Sequence, residues 1–239
     1  MIDTHLKKLR RRFEISADEE RAIRGAVAGT RKIGADKVLI REGQVLNESL
    51  LLVSGWLARS KDLAGGDRQM TELHVTGDFP DLHGFTLKRL DHVVLTLSEC
   101  TVAVVPHDRM RQMTERFPRL ARIYWFATNM DAAIHREWAL SLGKRSAIAR
   151  MAHLFCELYV RLDVVGETRG DSYDFPLTQR ELAECLGLTS VHANRTLQEL
   201  RRRGLIAVEN RQVSMLDRSG LERLAEFDPA YLYLEKRSI

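Results

Sequence analysis

LTQRELAECLGLTSVHANRTLQELRRRGLI, residues 177–206, packs two capping signals, one glycine and a basic run into a single short stretch. Thr178 and Glu181 form a T-x-x-E capping box, which starts a helix that turns Leu182, Ala183 and Leu186 inward. Gly187 stops that helix, because a glycine adopts the left-handed conformation a sharp turn needs, and Leu188 fills the corner. Thr189 caps a second helix. On it Ala193, Leu197 and Leu200 face inward, leaving Ser190, Val191, Asn194, Arg195 and Gln198 outside. A hairpin of Ile206–Val208 and Val213–Leu216 about Asn210 follows. The pattern is that of a winged helix-turn-helix, whose second helix lies in the major groove of double-stranded DNA. A plain helical hairpin with a solvated charged face is the competing reading. Small Ala183 at the helix crossing, Gly187 at the turn and the following hairpin favour the DNA-binding module. Arg201, Arg202 and Arg203 suit phosphate, although such a run alone is more often a solvated helix end.

Working outward, 239 residues suffice for one large or two modest domains. The composition is that of a soluble globular protein, and the formal charge of +4 permits a polyanionic partner. No apolar run approaches the ~18 residues of a membrane helix, and MIDTHLKKLRRRF lacks the apolar segment of a signal peptide. A cytoplasmic protein with no membrane partner is expected. Cys100, Cys156 and Cys185 are far apart, with no CxxC spacing and no N-terminal cluster, so neither a disulfide framework nor an iron–sulfur site is expected.

Ser16 and Glu19 make a further capping box, opening a helix to about Val27. From Lys32 to Pro106 short β-type runs (Lys37–Arg41, Leu50–Lys61, Gln69–Val75, Val93–Leu97, Thr101–Val105) alternate with Gly, Asp and Asn clusters, predicting a small antiparallel barrel or sandwich. Pro118 opens a long helix to about Leu142. In it Leu120, Ile123, Ala127, Met130, Ile134, Glu137 and Ser141 recur at alternating spacings of 3 and 4, a heptad seam that fits either core or a dimer contact; apolar residues on more than one side of the helix and small residues in the seam favour a homodimer. A second stripe, Tyr124, Trp125, Ala132 and Trp138, lies elsewhere around the helix and leaves one face for the protein's own barrel. Helices at Ser146–Leu162 and from about Asp217 to Phe227 flank the opening stretch, with a polar loop, DVVGETRGDSY, after the first.

With these elements in place the chain resembles the Crp/Fnr family of bacterial transcription regulators along nearly its full length. The resemblance is most specific in residues 177–206; LIREGQ, LLLVSGWL and TGDF are similar to the family's cyclic-nucleotide-binding-type barrel. It implies an α+β chain with an N-terminal antiparallel β-barrel of the jelly-roll type (residues 1–116), a dimerisation helix (117–143) and a C-terminal winged helix-turn-helix (144–239). It further implies a homodimer that reads a palindromic promoter site and contacts RNA polymerase. Ser190, Val191, Asn194 and Arg195 fall at the family's base-facing positions, and Thr178, Gln179, Thr189 and His192 at phosphate-contacting ones.

The barrel departs from the family's cyclic-nucleotide sensors. The Gly-Glu pair and the Arg-Ser/Thr-Ala segment that hold the ligand phosphate are absent after TGDF. Asp81 stands roughly in the Glu place and Asp91-His92-Val93 about where the arginine segment belongs, so a phosphate would meet carboxylate. Cyclic AMP binding in the usual way is not expected, no cofactor is expected, and the effector, if there is one, is unspecified. His74, His83 and His92 match no metal-ligand spacing, and the chain has no H-x-H pair of the kind a cupin-type metalloenzyme barrel uses. That alternative, a metalloenzyme with an accessory helical domain, ranks below a non-enzymatic regulator.

Overall fold

A computed structural model describes residues 1–236; residues 237–239, the end of the expected 144–239 domain, lie outside the described residues. The chain groups into two compact units: Met1–Ser60 with Leu73–Ala133 and the terminal segment from Tyr233, and Lys61–Glu72 with Ile134–Leu232.

The first unit begins with a helix absent from the sequence reading, α1 (Asp3–Arg10). Its basic run LKKLRRRF masks the helical spacing of Ile2, Leu6, Leu9 and Phe13, all buried. Helix α2 (Ala17–Ala26) follows the expected capping box, in which Ser16 Oγ accepts the Glu19 N–H and the Glu19 carboxylate accepts the Ser16 N–H.

Seven strands come next: β1 (Gly29–Ile33), β2 (Val38–Ile40), β3 (Glu48–Ser54), β4 (Leu57–Asp62), β5 (Arg68–His74), β6 (Val93–Thr96) and β7 (Cys100–Pro106). They form two antiparallel sheets, ordered β1-β7-β3 and β2-β6-β4-β5, the jelly-roll type of architecture the sequence predicts. Strand β1 is an addition. The single run expected at Leu50–Lys61 is two strands, because Gly55 turns the chain at φ +93°, and a Cβ there would lie 2.4 Å from the Glu99 carbonyl oxygen.

Ile40, Leu50, Leu52, Leu57, Val94, Val102 and Val104 pack together between the sheets. Leu51, Ala103 and Val105, on the opposite faces of β3 and β7, pack with α1 and α2 residues and with Met110 and Met113 of α4 (His107–Arg116). Burial on both faces explains the unbroken apolar run at Leu50–Val53. A short helix, α3 (Gly84–Leu87), precedes β6.

Helix α5 (Pro118–Lys144) runs through Gly143 and is shared between the units. Leu120, Ile123 and Tyr124 join the core that contains α1, and Ala127 packs against it. At the chain's end the Arg12 Nε donates to the Tyr233 carbonyl at 3.0 Å, and the Tyr233 ring lies 5.9 Å from that of Phe126.

The second unit contains α6 (Ala147–Val165), β8 (Thr168–Arg169), β9 (Ser172–Asp174), α7 (Gln179–Leu186), α8 (Ser190–Arg202), β10 (Ile206–Glu209), β11 (Gln212–Met215) and α9 (Arg218–Ala225). The segment read as a polar loop thus carries a hairpin, β8–β9, about Gly170; strands of two and three residues give no period to read. The sheet order is β10-β11-β9-β8. The β10–β11 turn has positive φ at Asn210 and Arg211, the geometry of a tight two-residue hairpin loop. Among the described residues no helix is long and apolar enough to cross a membrane.

Candidate DNA interface

Helices α7 and α8 are built from residues 177–206. Thr178 caps α7 through the predicted box, its hydroxyl accepting the Glu181 N–H while the Glu181 carboxylate accepts the Thr178 N–H. Gly187 takes the left-handed conformation at φ +60°, and the Leu188 N–H returns to the Ala183 carbonyl at 3.0 Å. Thr189 caps α8, accepting the His192 N–H at 3.2 Å. Ala193, Thr196, Leu197 and Leu200 are buried beneath α8. Ser190, Val191 and Arg195 are exposed on its outer side, with Asn194 half-buried among them. A groove beside this row is lined by Ser146, Ile148, Thr189, Val191, His192 and Arg195. An exposed helix start with free N–H groups favours anions, and the arginine that follows one turn after Val191 adds formal charge.

The four base-facing candidates therefore share one surface. Of the phosphate candidates, Gln179, Thr189 and His192 are exposed at the first turns of α7 and α8. Thr178 is exposed at the start of α7 as well, with its hydroxyl donating to Glu181 Oε2 at 2.7 Å and its N–H to the same oxygen at 2.6 Å within the cap. In the basic run, Glu199 pairs with both Arg202 and Arg203 at the end of α8. A contact the sequence did not foresee joins the two helices: Asn194 Nδ2 donates to Gln179 Oε1 at 2.8 Å.

The residues named for a dimer seam are covered within the single chain. Leu120, Ile123, Met130 and Ile134 are each at most 5% exposed, and Ala127 is half-buried. Of these, Leu120 and Ile123 belong to the core that contains α1, and Ala127 packs against it. The face left open carries a second 3/4 repeat, Arg122, Trp125, Asn129, Ala132, Arg136, Ala139 and Gly143, all exposed. Trp125 and Ala132 stand in the second stripe, while Arg122, Asn129 and Arg136 interrupt the apolar pattern and hide the rest.

Inside the first unit, Asp81 is fully buried and both of its carboxylate oxygens accept the Leu50 N–H, at 2.9 and 3.1 Å. Burial lifts its pKa to about 7. The arginine that does enter this interior comes from β4. Arg59, 2% exposed, donates to the Pro80 carbonyl at 2.7 Å and to Asp131 at 2.9 Å. Its place two residues after Leu57, on the same face of β4, was the signal that could have found it. His92 Nδ1 lies 3.0 Å from the Asp91 carboxylate, and the His83 and His92 rings are 5.2 Å apart. Burial and Arg59 hold His74 near 3 and His83 near 4, both neutral at pH 7. Among the described residues no group of three or more His, Cys, Asp or Glu is placed to hold a metal.

With this geometry in hand, comparison with known proteins is informative. Residues 30–117 match the cyclic nucleotide-binding domain family and residues 149–224 the Crp-like helix-turn-helix domain family. The transcriptional activator protein FnrL of Cereibacter sphaeroides is 29% identical over 201 residues, covering 81% of this chain and 79% of that one. The transcriptional activator protein FnrA of Stutzerimonas stutzeri is 24% identical over 195 residues, 82% and 80% of the two chains. The structure of FixK2 from Bradyrhizobium japonicum superposes with a TM-score of 0.76 at 23% identity, over 83% of this chain and 97% of that one. These relatives are named as regulators, which sets the metalloenzyme reading aside. The two family matches, in this order on one chain and around a long helix, show that the protein belongs to the Crp/Fnr family of DNA-binding transcription regulators.

Proposed function

We infer that the protein works as a homodimeric transcriptional activator that reads an inverted repeat, under control of a signal received by its N-terminal barrel. The working division is a sensory part at 1–116, a dimerisation helix at 117–143 and a DNA-binding part from 144. The observation that carries the reading is the row of exposed Ser190, Val191 and Arg195 with half-buried Asn194 on a helix whose opposite side is buried. Arg195 is the guanine reader, since a guanidinium donates two hydrogen bonds to guanine O6 and N7. Val191, 64% exposed, offers apolar contact to a thymine methyl. Gln179, Thr189 and His192 face phosphate, and RNA polymerase is the further partner a promoter-bound activator requires.

The dimer is assigned to the exposed α5 stripe, where Ala132, Ala139 and Gly143 permit close helix approach and Trp125 supplies apolar area. The twofold partner puts the half-sites about one helical turn apart. The barrel's signal is not cyclic AMP held by the usual phosphate contact. Asp81 accepts from Leu50 and Arg59 donates to Asp131, so a phosphate buried beside them would meet a carboxylate and an arginine already engaged, at a cost of several kcal/mol.

Selection of sites from random DNA with wild type and Arg195→Ala tests the central claim. The expected outcome is a palindrome with a guanine in each half-site, and for Arg195→Ala a loss of about 1–3 kcal/mol with selectivity relaxed at that base pair. Recovery of the same guanine with equal preference by both proteins refutes it.

A further inference from the structure

The hydrogen bond between Asn194 and Gln179 constrains what the recognition helix can read. An asparagine amide presents a carbonyl on one side and an NH2 on the other, and the two ends ask for different base edges. Here one Nδ2 hydrogen is spent on Gln179 Oε1 at 2.8 Å. The Asn194 Oδ1 and the second Nδ2 hydrogen stay available, side by side. That acceptor–donor pair complements the N6 donor and N7 acceptor of adenine in the major groove. It mismatches guanine, which offers two acceptors there.

The orientation of Gln179 is set in turn by where it stands. It is the first residue of α7, directly after the Thr178 cap, and exposed. Against a DNA phosphate its Nε2 hydrogens are attracted and its carbonyl oxygen is repelled. With Nε2 toward phosphate, Oε1 is turned toward Asn194. Reversing both amides would place Oε1 against the phosphate and exchange the acceptor and donor positions that Asn194 presents to the base, taking them out of register with N6 and N7 of adenine.

We propose that Gln179 is a positioning residue, which transfers the polarity of a backbone phosphate to Asn194 and thereby makes Asn194 a reader of adenine, one per half-site. This rests on the assignment of α8 to the major groove and adds to the guanine reading of Arg195. The two helices give the pair its rigidity, since α7 and α8 are locked by the Gly187 turn and the buried Leu182, Leu186 and Leu197.

The experiment is random-DNA selection with the full-length protein, followed by binding to the selected site and to one with the adenine pair replaced by G·C. Wild type, Asn194→Ala, Gln179→Ala and Gln179→Glu are compared, each checked for an unchanged unfolding midpoint. Wild type is expected to select adenine and to prefer it by about tenfold or more. Both alanine variants should reduce that preference to about threefold or less while keeping the guanine. Gln179→Glu retains an acceptor for Asn194, so it should keep the adenine preference at lower overall affinity, because its charge repels phosphate. A selected site without adenine overturns the proposal. So does a Gln179→Ala protein that weakens all sequences evenly and keeps the adenine, since Gln179 would then be a phosphate contact alone. Selection of no sequence at all by wild type would instead remove the base-reading assignment of α8 itself, and this outcome is distinguishable from the other two.

Discussion

The interior of the first unit and the outer side of α8 use similar residues to opposite ends. In the interior, Arg59 is spent on Pro80 and Asp131, and Asp81 on Leu50. On α8, Val191 and Arg195 face solvent, and the polar groups near them are aligned but not exhausted. The difference lies in where desolvation is met. A buried charge must find its partner within the chain, whereas a recognition surface leaves that partner to be supplied by DNA. Substitutions inside should therefore act on stability, and substitutions on α8 on binding.

The largest departure from this contrast is expected at Gly55. Its φ of +93° and the 2.4 Å approach of a Cβ to the Glu99 oxygen leave no room for a side chain. Gly55→Ala should lower the stability of the first unit by about 3 kcal/mol or more, read as a fall in the denaturant midpoint. An unchanged midpoint would show that the β3–β4 turn yields easily, and would blur the line between rigid interior and adaptable surface.

A smaller effect follows from protons. Burial depresses His5 to about 4 and His74 to about 3, so both favour the folded state when neutral; that stability is present above the ordinary histidine range and is lost as pH falls through 6.5 toward 3. Asp81 acts oppositely, being raised to about 7: its contribution is present below 3.8 and lost as pH rises toward 7. The fold should thus weaken on acidification from pH 6.5 to 4, and Asp81→Asn should make that loss steeper by a few kcal/mol. Denaturant titrations across this range check both slopes. Equal slopes in the two proteins would mean that Asp81 stays ionised in the fold.

The smallest effect belongs to the surface. Glu199→Gln releases Arg202 and Arg203 from their intrahelical pairs. Exposed pairs of this kind contribute about 0.2–1 kcal/mol, so the unfolding midpoint should scarcely move. Affinity for random-sequence DNA should rise by less than about tenfold, with a steeper salt dependence, and sequence preference should not change. A changed base preference would place Glu199 in the reading surface.

The surface was far more legible in the sequence than the interior. T-x-x-E, Gly187 and the inward spacing of Ala193, Leu197 and Leu200 follow local rules, and the helices they predict are the ones seen. Strand positions were also close, since β-branched runs between glycines mark them. What stayed hidden was pairing at a distance. Nothing local links Arg59 to Asp131 or Asn194 to Gln179. The 3/4 spacing of Leu120–Ile134 marks a packing stripe that is buried within one chain, and periodicity identifies such an apolar side without naming what covers it. Helices α1 and α4 were missed where basic and polar residues crowd the apolar positions.

The return of the chain to Arg12 at Tyr233 has a practical consequence for spectroscopy. The polypeptide leaves the first unit, traverses the second and comes back, so residues near both termini belong to the same unit. A donor and an acceptor dye attached near residues 1 and 236 would sit on one body. Their energy transfer would follow the integrity of the barrel unit alone, and would be blind to any movement of the helix-turn-helix that the intervening chain carries.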